Sequence, residues 1–91
     1  MLEMSEVYVL DENIVLRSIN NKFWALDTRL GAQYKINRVS YDILSLLDGS
    51  KTVKEVIDNA SVKYDVSDSI FRDDALGLLE NALSKKIITR S

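Results

Sequence analysis

The chain has 91 residues, 46% apolar and 29% charged, with a formal net charge of −2. That is the size of one domain, 1–91, and the balance of a folded chain rather than a disordered one. It holds no cysteine and no histidine, which excludes disulfides, thiol nucleophiles, imidazole acid–base chemistry and the common zinc sites. The basic residues are scattered, so no dense phosphate-binding patch forms. No apolar run reaches the roughly 18–20 residues of a membrane span. The N-terminus carries Glu3 and Glu6 and lacks a basic-then-apolar signal pattern. These features predict a cytoplasmic, non-enzymatic protein with no cofactor, metal, nucleic acid or membrane partner.

The first part of the chain reads as strands. Val7-Tyr8-Val9-Leu10 is β-prone, and Asp11-Glu12-Asn13 breaks it. Ile14–Ile19 follows, then Asn20-Asn21, two residues that tolerate positive φ and suit a tight hairpin. Phe23–Asp27 continues, Leu30-Gly31 turns, and Ala32–Ile36 is the next strand. Its Ala32, Tyr34 and Ile36 share one face and Gln33 and Lys35 the other. The expectation is a small antiparallel meander. Trp24 is expected as a sheet-face anchor in the core.

The second part reads as helices. Asn37 is an N-cap candidate, Val39, Ile43, Leu46 and Leu47 recur at helical spacing, and Gly49 stops that helix. Thr52-Val53-Lys54-Glu55 has the form of a capping box and opens a second helix ending near Lys63–Asp65. Ser67 or Asp68 caps a third helix running to about Lys85, and Ile87-Ile88 form a short extended tail. The order is α+β and winged-helix-like: a three-stranded antiparallel sheet followed by three helices.

The third helix carries more apolar surface than one packing face needs. With Ala75 set at zero on the helical wheel, Phe71, Leu78, Leu79 and Ala82 fall within about 60°. Leu76 and Leu83 lie near about 100° and about 80°, and Arg72 near about 60°. Either the two leucines pack on the sheet or they line a groove that a partner fills. A strand edge beside an apolar helix flank captures extended peptides by strand addition. A free edge also permits pairing with a second copy, so the expected state is a monomer or an edge-strand-mediated dimer.

Ile43-Leu44-Ser45-Leu46-Leu47-Asp48-Gly49, followed by Thr52-Val53-Lys54-Glu55-Val56-Ile57, resembles the PqqD-like family, also called RiPP recognition elements. Asp74-Ala75, Leu78-Leu79, Ala82 and Ile87-Ile88 extend the likeness, which covers about Gly31 to Ile88. Ala75 and Ala82 stand where the family has larger apolar residues, and Lys86 where glycine is common. The resemblance implies binding of the leader segment of a ribosomally made precursor peptide. The leader would add to the third strand of the family's sheet and lie on the third helix. Carried over by position, this marks Ala32, Gln33, Tyr34, Lys35 and Ile36 on the strand and Arg72, Leu76, Leu79, Glu80 and Leu83 on the helix. A separate domain of this size is similar to those of lasso-peptide pathways, whose implied partner is a leader peptidase or another modifying enzyme.

Four or five added backbone hydrogen bonds at roughly 0.5–1.5 kcal/mol each are largely offset by about 2–5 kcal/mol for ordering a leader. Apolar anchors worth roughly 1.5–3 kcal/mol each must supply the affinity, a role expected of Leu76, Leu79 and Leu83. The rival reading is a winged-helix DNA-binding regulator, which needs outward cations on one helix. The second helix offers Lys54 and Lys63 between Glu55 and Asp58.

Overall fold

In the computed structural model, residues 2–64 and 68–91 are described. Asn20 and Asn21 take φ of 51° and 64°. Two successive left-handed residues are what a two-residue hairpin of matching twist needs. They join β2 (Ile14–Ile19) to β3 (Lys22–Asp27) in register from Ile14↔Asp27 to Ile19↔Lys22. β4 (Ala32–Ile36) then pairs with β3 from Asp27↔Ala32 to Phe23↔Ile36. This is the expected three-stranded antiparallel sheet, in the order β2-β3-β4.

The turn from β3 to β4 is tied by Asp27, whose side chain is almost fully buried. Its Oδ1 accepts the backbone N–H groups of Arg29 at 2.9 Å and Leu30 at 3.1 Å. The Arg29 guanidinium lies 3.7 Å from the other oxygen. Gly31 takes φ of 71° and its N–H donates to the Asp27 carbonyl at 2.8 Å. A buried carboxylate thus fixes where β4 begins.

β1 (Val7–Leu10) does not extend this meander. It is the middle strand of a second antiparallel sheet, between β5 (Asp48–Thr52) and β6 (Ile88–Arg90). The helix expected to run to Gly49 stops earlier: α1 (Arg38–Ser45) is closed by Leu46. Gly49 is left-handed, with φ of 87°, but it sits in β5, where an added Cβ would meet Val9 Cγ1 at 3.2 Å. Asp48–Thr52 has little strand propensity of its own. Pairing with β1 makes it a strand, and tertiary context outweighs propensity in such segments. The extended tail likewise becomes β6 by pairing Ile88 with Leu10 and Arg90 with Tyr8.

The helix starts follow local chemistry. Asn37 caps α1, its Oδ1 accepting the Ser40 N–H at 2.7 Å. The capping box opens α2 (Val53–Tyr64): the Thr52 N–H donates to Glu55 Oε1 at 2.9 Å, and the Glu55 N–H to Thr52 Oγ1 at 3.2 Å. The cap expected for α3 (Asp68–Ser84) at Ser67 or Asp68 lies outside the described residues and side chains. At its end the Ile87 N–H reaches the Ala82 carbonyl at 2.8 Å and the Lys86 N–H that of Leu83 at 3.1 Å. This double closure needs a left-handed residue between them. Lys86 supplies it with φ of 62°, at the position where the family's glycine was expected.

Ile43, Leu44, Val53, Val56, Ala75, Leu79 and Ile88 form the centre of the core, all at most 1% exposed. Trp24 is not part of it. Ala25 and Asp27 take the inward positions of β3, so alternation turns Trp24 to the outer face, half-buried beside Arg17, Ile19, Leu26 and Gln33. No described helix is long and apolar enough to cross a membrane.

Candidate functional site

Among the described residues β4 pairs only with β3, so its other edge offers alternate N–H and C=O groups to a further strand. α3 packs on α1, α2 and β6, and a groove of about 250 Å³ separates it from β4. Tyr34 and Ile36 form the strand wall, Leu78, Asn81 and Lys85 the helix wall, and Leu44 lines it from α1. Lys85 reaches across, its Nζ 5.2 Å from the centre of the Tyr34 ring.

Two further depressions open from this groove, and Asn37 lines all three. One, of about 310 Å³, lies between the helices and is lined by Val39, Tyr64, Phe71, Asp74, Ala75 and Leu78. It is the apolar socket of the site. The other, of about 590 Å³, lies past the C-terminal end of β4, against the β2–β3 hairpin, with Lys22, Phe23, Lys35, Ile36 and Arg38 around it.

The socket wall is held by charge. The Tyr64 hydroxyl donates to Asp42 Oδ2, and Lys63 Nζ lies 3.1 Å from the same oxygen. Burial acts to raise the Asp42 carboxyl, but the Tyr64 and Lys63 hydrogen bonds together hold it below its ordinary value. Burial, followed by the hydrogen bond to Asp42, pushes the Tyr64 hydroxyl up. Tyr64 also stacks on Phe71 with ring centres 6.2 Å apart, so α1, α2 and α3 are joined at one place.

The residues marked in the sequence divide. Tyr34, Lys35 and Ile36 line the groove. Ala32 is half-buried at the start of β4, and Gln33 is exposed on the outer face beside Trp24. On α3 the marked residues do not meet the groove. Leu79 is fully buried, Leu76 is half-buried against the core, and Arg72 is exposed. Glu80 and Leu83 line a separate depression with Leu2. On the same helical wheel Leu78, Lys85 and Asn81 lie near about −60°, −80° and −120°, opposite in sign to Leu76, Leu83 and Glu80. Periodicity gives the width of the stripe; which side faces β4 depends on how α3 is laid across α1 and α2. The groove and socket residues of α3 that the sequence did not mark are Leu78, Asn81, Lys85 and Phe71. Their one sequence signal was the stripe 71, 74, 78, 81, 85 at steps of three and four.

Residues 21–88 match the family model described as Coenzyme PQQ synthesis protein D (PqqD). Curated proteins supply no match. Among solved structures, the chain resembles the solution NMR structure of the PqqD truncation of Methylobacterium extorquens PqqCD, described as a functional and stand-alone RiPP recognition element. The TM-score is 0.82 at 24% identity, covering 99% of this chain and 96% of that one. It also resembles a lasso peptide synthetase B1 complexed with the leader peptide, with a TM-score of 0.75 at 17% identity over 90% of this chain and 96% of that one. A third is TbiB1 in complex with the TbiA(beta) leader peptide, with a TM-score of 0.74 at 21% identity over 88% and 93%. At these identities the likeness establishes the fold.

Proposed function

The chain belongs to the PqqD family, and from that premise we propose that it binds the leader segment of a ribosomally synthesised precursor peptide. The leader adds as a strand to the free edge of β4 and sets an apolar side chain into the socket between Tyr64, Phe71 and Leu78. It is thereby presented to a modifying enzyme, of which a leader peptidase of a lasso-peptide pathway is the first candidate.

The observation that carries this reading is the coincidence of an unpaired strand edge with an apolar groove and socket alongside it. Among the described residues β2 has an unpaired edge too, but its Arg17 and Ile19 line a depression whose other walls are the sheet residues Trp24, Leu26 and Gln33. Backbone pairing alone is worth only a few kcal/mol before ordering costs of about 2–5 kcal/mol. The edge with a socket is therefore the one that binds. Two of the solved structures it resembles hold leader peptides, which supports the same reading.

DNA reading by α2 lacks its cations. Lys54 pairs with Asp58 at 2.9 Å and Lys63 with Asp42 at 3.1 Å, so α2 presents no free basic face of the kind phosphates require.

The test is titration of a synthetic leader, taken from a short precursor gene beside this one, into isotopically labelled protein. Backbone shifts concentrated in β4 and at positions 71–85 are the expected result. Shifts confined to the β2 edge or to the outer sheet face would refute the assignment.

A further inference from the structure

The cations of this chain are unevenly used. Arg29, Lys51, Lys54, Lys63 and Arg90 each lie within ion-pair distance of a carboxylate. Seven of the twelve have no such partner among the described residues; Arg17, Arg72 and Lys86 lie elsewhere, whereas Lys22, Lys35, Arg38 and Lys85 line the groove or the depression at its end. In a chain of net charge −2 this is a local reversal of sign.

The acids near the site do not cancel it. Asp42 is taken by Lys63 and Tyr64, although the Arg38 charge reaches it. Asp74 lines the socket, which shares Asn37 but none of the four cations with the other two depressions. The site is therefore polar along its length: apolar with one carboxylate in the socket, cationic beyond Ile36. Lys85, on the helix wall of the groove, rests on the Tyr34 ring.

We infer that the bound peptide is acidic on one flank: an apolar strand segment is followed, where it passes Ile36, by Asp or Glu side chains that Lys22, Lys35 and Arg38 receive. This rests on the reading of β4 as the peptide-binding edge and adds the chemical class of what lies there. Charges in such a rim act on selectivity and association rate as well as affinity. Each exposed pair changes affinity by a factor of about 1.5 to 5, so three together amount to about tenfold.

The experiment is selection of displayed random peptides on the wild-type chain and on a triple variant, Lys22→Glu, Lys35→Glu and Arg38→Gln. The three side chains are exposed, and circular dichroism checks that the variant folds. Selected peptides are mapped by backbone NMR shifts. The expected result is shifts in β4 and an enrichment of Asp and Glu on one flank only. Binding then weakens with salt and falls about tenfold on the triple variant, and replacing the peptide's acids by Asn or Gln removes that sensitivity. Peptides that shift β4 but show no acid enrichment and bind the triple variant equally would overturn the charge inference and leave the strand reading standing. Peptides that leave β4 and positions 71–85 unshifted would overturn both.

Discussion

The two sheets each have three strands, and they do opposite things. The sheet β5-β1-β6 draws together the start, middle and end of the chain, with β1 paired on both sides. Its outer strands are poor templates: β5 carries a register shift opposite Val7 and Val9, and β6 has only three residues. The sheet β2-β3-β4 is a local meander whose last strand keeps an open edge beside a groove. One sheet closes the fold and the other, among the described residues, keeps β4 paired on one side only. Stability and binding should therefore separate when the two regions are mutated.

The largest effect belongs to the core that supports both. Leu79→Ala should cost about 2–5 kcal/mol in urea unfolding, because it empties a fully enclosed site. A loss under about 1 kcal/mol would mean that α3 is held some other way. Next, the two flanks of α3 should differ. Leu78→Ala should weaken peptide binding by about 1.5–3 kcal/mol, the value of one apolar anchor, while Leu83→Ala leaves titration curves unchanged and lowers only the melting temperature. The reverse pattern would restore the sequence-based assignment to Leu76 and Leu83.

Asp27→Ala should cost about 1–3 kcal/mol, since the Arg29 and Leu30 N–H groups lose their acceptor in the turn that starts β4. Asp27→Asn, which keeps an oxygen, should cost less in the same melts. Lys86→Gly should raise stability by about 0.5–1 kcal/mol, because glycine takes the left-handed conformation of that residue without strain.

The smallest effect is that of pH. The Ser50 hydroxyl, its N–H and Lys51 bring the Asp48 carboxyl down to about 2. Hydrogen bonds from Thr52 lower Glu55, and Asp42 is lowered as described above. Folded values below unfolded ones give stability that is complete above the ordinary carboxylate range and lost as pH falls through the folded values. Melting temperature should hold down to about pH 5 and then decline toward about pH 2, and Asp48→Asn should soften that decline.

Much of this was legible because it is local. Asn20-Asn21 suits a tight turn, Asn37 accepts the Ser40 N–H of α1 from three residues away, and Thr52 with Glu55 closes a box within one turn. What could not be read was non-local. Asp48–Thr52 looks like a loop until β1 lies beside it, and Trp24 looks like core until Ala25 and Asp27 take the inward positions. The candidate site was half legible for the same reason. The strand residues Tyr34, Lys35 and Ile36 follow from alternation, but the helix residues require knowing which side of the stripe turns toward β4.

The sequence by itself thus determined the turns of the meander, the starts of α1 and α2, and the family. Each depends on interactions spanning a few residues or on a pattern along the chain. Only the tertiary structure decided that β1 joins β5 and β6, and that Leu78 rather than Leu83 walls the groove. It also decided that Lys22, Lys35 and Arg38 gather around the depression at one end of it, with Lys85 inside the groove. Those outcomes depend on the packing angle of α3 and on which distant segments are neighbours, and no helical or strand period encodes either.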